Sequence, residues 1–114
     1  MRYLLVITLA IALSGCATTP RPWTTAEKTM LVASCVAAGA DTLTTLHGLH
    51  NGCWETNPIM GEYPSDGRVI VIMGISQIAT VVLAHYWEDF RMWVLGIKTG
   101  VNAGFAFHNS RTAD

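Results

Sequence analysis

Charge is scarce in this sequence. Only 13% of its 114 residues are Asp, Glu, Lys or Arg, and the formal net charge is −1. A balance this close to neutral gives no electrostatic case for nucleic-acid binding. From Val69 to Trp87 none of the four charged types occurs over nineteen positions. A soluble core helix of that length would carry a charged face. The spacings that announce catalysis are missing as well: there is no Gly-x-Ser-x-Gly elbow, no phosphate loop and no Cys-x-x-Cys pair. His47-x-x-His50 lacks the i, i+4 spacing of a zinc-protease helix, and no Glu follows His47. No cofactor is implied, and the balance points away from an enzyme. Cys35 falls in an apolar run and reads as a small core residue, so a Cys35–Cys53 disulfide is not expected. The length suits one domain.

What is present begins with a leader. Arg2 supplies a short positive segment, and Leu4 to Leu13 is an apolar run of ten residues. Ten residues are too few to span about 30 Å of hydrocarbon as a helix. Leu13-Ser14-Gly15-Cys16 follows directly. This run resembles the lipobox of bacterial lipoproteins, in which the cysteine is acylated and becomes the first mature residue. The resemblance implies a cleaved signal peptide over 1–15, acylation at Cys16 and a lipidated tether over 16–24. An ordinary signal peptide with a chance cysteine is the competing reading. Ala17 is not an acidic retention residue, so outer-membrane sorting stays open. Several hydrophobic helices favour the inner membrane.

The remainder reads as all-α: a small membrane helical bundle of about three hydrophobic helices over 25–108, then a polar tail over 109–114. Thr24-Thr-Ala-Glu27 has the pattern of a capping box and starts a helix from about Thr25 to about Gly48. Small or polar residues recur on it at Ser34, Ala37, Asp41, Thr44 and Gly48, a stripe that another helix can approach closely. Ser65-Asp66-Gly67 reads as the start of a second helix whose apolar stretch, Val69 to Trp87, meets the roughly 20-residue requirement for a span. A third is expected from about Met92 to Phe107. Gly96, Gly100 and Gly104 are spaced by four on it, which in lipid makes a flat face for helix contact.

Between the first two helices lies the densest run of chemically capable side chains, Asp41 to Pro58. Asp41, Thr44, Thr45 and Gly48 share one helix face, and Glu55 and Asn57 follow in the loop. A carboxylate within a membrane helix is a functional-site hypothesis by default. Lys98 needs an acid, water or the interface, and Asp41 is its natural partner; Asn102 and Gln77 are candidates for contact with Thr44 and Thr45. Asp41, Glu55, His50 and His85 are weak candidates for a metal, and no metal is assigned. Asp41-x-x-Thr44-Thr45 followed by Glu55-x-Asn57-Pro58 resembles the motif of an uncharacterised family of small multi-helix bacterial membrane proteins. That resemblance implies a shared polar site, not a reaction.

Two functions from different classes remain. The first is a lipid-anchored structural or interaction protein of the bacterial cell envelope, in contact with the bilayer and with an envelope partner or further copies of itself. The second is an intramembrane ion- or substrate-binding protein, extending to a metal-dependent hydrolase, that uses the Asp41/Glu55 cluster.

Overall fold

A computed structural model describes residues 19–112. The leader, and with it the acylation expected at Cys16, lies outside the described residues. All regular structure among them is helical: α1 over Thr25–His50, α2 over Asp66–Tyr86 and α3 over Arg91–Thr112, with a single 3-10 turn at Glu88–Phe90. The expected all-α, three-helix architecture is what the chain adopts. Thr24 caps α1 in the expected capping box, accepting from the Glu27 amide while the Glu27 carboxylate accepts from the Thr24 amide. Ser65 caps α2 through the Arg68 amide at 3.3 Å. Each cap satisfies backbone donors that a helix start leaves open.

The helices run up, down and up. Glu27 meets Arg91 at one end and Thr45 meets Asn109 at the other, so α1 and α3 are parallel. Gln77 reaches Ser34 near mid-helix and His50 meets Asp66 at the far end, so α2 returns antiparallel. α1 and α2 are long and apolar enough to cross a membrane, whereas α3 does not meet that measure.

Polarity is inverted relative to a soluble bundle. The buried side chains include six charged or polar ones, Glu27, Ser34, Asp41, Thr45, Arg91 and Asn102. The buried apolar residues are equally few, and half of them are alanines, Ala37, Ala38 and Ala84. Large apolar side chains face outward on every helix: Val36 is 66% exposed, Ile78 65% and Trp93 70%. In water such a surface would be an aggregation liability, because monomers rarely expose contiguous apolar area beyond a few hundred Å². In lipid the same arrangement is stable, since the solvent is apolar and polar side chains hold the helices together.

α1 shows how the pattern arises. Glu27, Ser34, Asp41 and Gly48 are all buried and recur every seventh residue, with Ala38 and Thr45 beside them. That spacing keeps one face toward α3. α3 begins at Arg91, within a residue of the expected start, but continues through the supposed tail to Thr112. Its glycine face also differs. A Cβ at Gly96, Gly100 or Gly104 would meet nothing within 4 Å among the described residues, so that face contacts neither other helix of the chain. Close packing is carried instead by the small residues of α1.

Candidate functional site

Two polar centres stand at opposite ends of the bundle, and Asp41 and Thr45 of the expected polar site belong to one of them. Asp41 and Thr45 lie one turn apart on the buried face of α1, where Thr45 Oγ1 donates to Asp41 Oδ1 at 3.5 Å. Asn109 of α3 completes the group, its Nδ2 donating to Thr45 Oγ1 at 3.1 Å and to Asp41 Oδ1 at 3.5 Å. Asn109 belonged to the supposed tail. A signal for it existed, because Leu95 and Asn102 are buried and Asn109 continues their sevenfold spacing.

Lys98 is not the partner of Asp41. Its ammonium donates to Ser76 Oγ of α2 at 2.8 Å, and no ion pair joins it to Asp41 among the described residues. Register decides this outcome: α3 presents Asn109, not Lys98, at the level of Asp41. Thr44 bonds back to the carbonyls of Ala40 and Asp41, and Gln77 reaches Ser34 instead of the threonines. Asn102 is 3% exposed, and its Nδ2 has no partner among the described residues.

The loop motif builds its own turn. Glu55 Oε1 accepts from the Asn57 amide at 2.9 Å, and the Glu55 amide donates to the Glu62 carbonyl at 2.9 Å. Asn57 Oδ1 accepts from Ile59, and its carbonyl accepts from Met60 and Gly61. Gly61 closes the turn at φ +85°, a conformation that favours glycine. The loop thereby stands against the ends of α1 and α3 and leaves a cavity of about 320 Å³. Thr45 and Asn109 form part of its wall, and Trp54, Glu55 and His108 stand around it.

The candidate metal ligands do not converge. His50 pairs with Asp66 at the surface, and His85 lies at the opposite end of the bundle beside Trp23. Among the described residues no group of three His, Cys, Asp or Glu side chains could hold an ion.

The second centre escapes sequence reasoning almost entirely. Arg91 is fully buried, and its guanidinium ties the three helices together. Nε donates to the Ala84 carbonyl at 3.0 Å and Nη2 to the His85 carbonyl at 3.1 Å, satisfying acceptors that the end of α2 leaves open. Nη2 also donates to the Arg21 carbonyl, and Nη1 faces Glu27 Oε2 at 3.4 Å. The guanidinium lies 4.6 Å from the Trp23 ring centroid, within cation–π range. Arg21 adds a two-pronged contact to Glu27, and its backbone amide donates a hydrogen bond to the Glu88 carboxylate. Its hydrogen bond to Glu27 raises the Arg21 pKa, so this cation stays charged. Among the described residues the buried donors and acceptors of this centre are matched, which makes it a fastening.

No family model, no curated protein and no solved structure matches the chain.

Proposed function

We propose that this is a lipid-anchored helical membrane protein of the bacterial cell envelope with a structural or interaction role. One observation carries the reading: the bundle buries charged and polar side chains while apolar ones face out. An outer surface of this kind needs lipid or another protein against it. The lipobox-like Leu13-Ser14-Gly15-Cys16 supports an acyl anchor at Cys16, and several apolar helices favour the inner membrane. An envelope protein or a second copy of the chain is the expected partner.

Fatty-acid labelling and alkaline washing of membranes test the two halves separately. Cys16→Ser abolishes the label if the anchor is read correctly, and the variant stays in the washed membrane if the helices are embedded. Retention of the label refutes the anchor. Release of the variant into the wash refutes embedding and leaves a domain held at the surface by lipid alone.

A further inference from the structure

The cavity between the ends of α1 and α3 is short of donors, and this determines what it can take. The Thr44 hydroxyl is spent on the Ala40 carbonyl at 2.9 Å and the Thr112 hydroxyl on the His108 carbonyl at 3.2 Å. Thr45 donates to the Asp41 carboxyl group, Asn109 Nδ2 donates to Asp41 and Thr45, and the Cys53 thiol points at the Thr112 carbonyl. The remaining side-chain donors, on Trp54, Thr56 and His108, belong to exposed residues. Acceptors are in surplus. Glu55 Oε2 and Asn109 Oδ1 receive no hydrogen bond among the described residues, because Asn57 takes only Oε1 of Glu55. Among the described residues no Lys or Arg lines the cavity. Behind the wall of Thr45 and Asn109 lies Asp41, 5% exposed, whose Oδ2 also accepts nothing among the described residues.

We propose that this cavity binds a protonated primary amine, either free or as the ammonium of a zwitterionic lipid headgroup. An ammonium brings one positive charge and three donors to a site that offers acceptors and a carboxylate. A guanidinium fits less well, since its fork needs both oxygens of a carboxylate and Glu55 has only one free. A divalent ion fits worst, for want of a third convergent anionic or imidazole ligand among the described residues. The Trp54 ring at the mouth suits a cation or its alkyl stem. The volume of about 320 Å³ stands at the small end of ligand pockets, in keeping with a headgroup-sized guest.

The test uses the full-length protein in nanodiscs of phosphatidylglycerol, titrated with ethanolamine at neutral pH in a calorimeter. Saturable binding is expected, with none for tetramethylammonium, which has no N–H, and none for potassium at equal ionic strength. Glu55→Gln weakens binding about tenfold, the loss of one charge-assisted hydrogen bond, while helicity by circular dichroism is unchanged. Native mass spectrometry from nanodiscs of mixed phosphatidylethanolamine and phosphatidylglycerol then identifies the source. Selective retention of phosphatidylethanolamine, lost in Glu55→Gln, marks the headgroup; ethanolamine binding without such retention marks a free amine. The proposal is overturned if neither probe binds, if tetramethylammonium or potassium binds as ethanolamine does, or if folded Glu55→Gln binds undiminished. None of these outcomes depends on acylation at Cys16.

Discussion

Arg91 is the residue whose environment departs furthest from what its position in the chain suggests. It sits in a charged run, Glu88-Asp-Phe-Arg91, that reads as an exposed turn, yet its side chain is wholly buried against Glu27 and three backbone carbonyls. Glu27 has two tasks, capping α1 and neutralising this cation, and Gln preserves only the first because its amide oxygen still accepts from Thr24. Glu27→Gln should therefore leave a buried arginine without its acid and cost about 3 kcal/mol or more. Denaturant unfolding in detergent, followed by circular dichroism, measures it. The exposed Glu62→Gln serves as the control and should fall within about 0.5 kcal/mol of the parent. Equal stability of the two variants would show that Arg91 is solvated and that Glu27 does not fasten it.

At the scale of elements, local rules and register part company. The buried stripe of α1 is readable from the chain because helical periodicity depends only on near neighbours: Ser34, Ala37, Asp41 and Gly48 fall on one face whatever packs there. The caps at Thr24 and Ser65 are local in the same way. Which residue of α3 meets Asp41 is not local. It depends on the turn at Glu88–Phe90 and on the Arg91 fastening, which together set the height of α3 against α1 and deliver Asn109 in place of Lys98. The extension of α3 past Phe107 follows from the same packing, since Asn109 gains partners on α1 that an isolated polar tail would lack. Gly96, Gly100 and Gly104 show the converse, a face whose pattern suggests contact and which meets neither α1 nor α2 among the described residues. Because nothing opposes a Cβ at Gly100, Gly100→Ala should raise stability by up to about 1 kcal/mol through helix propensity alone. Thermal unfolding in detergent reads the change. A loss of stability instead would place a second chain against that face.

The whole molecule turns on the parallel arrangement of α1 and α3. If Cys16 is acylated as proposed, the start of α1 is held on the outer side of the membrane, and an up-down-up bundle that spans it would deliver Thr112 to the inner side. The cation count alone opposes this, with Arg21, Lys28 and Arg91 at the outer end against Arg68 and Arg111 at the inner. The structure supplies a separate reason for two of the outer cations, since Arg21 and Arg91 both engage Glu27. α3 is the element on which the crossing depends. It is less apolar than its neighbours, but it buries Asn102, turns Lys98 to Ser76 and keeps Trp93, Ile97 and Phe105 exposed, the distribution that a helix crossing as part of the bundle would need. A reporter fused after Asp114 should thus read as cytoplasmic. The same fusion in Lys98→Ala should keep that orientation, because the ammonium serves a contact within the bundle and is not the determinant of insertion. A periplasmic reading would mean that α3 does not cross, and that the Asp41–Asn109 contact forms against a helix lying at the membrane surface.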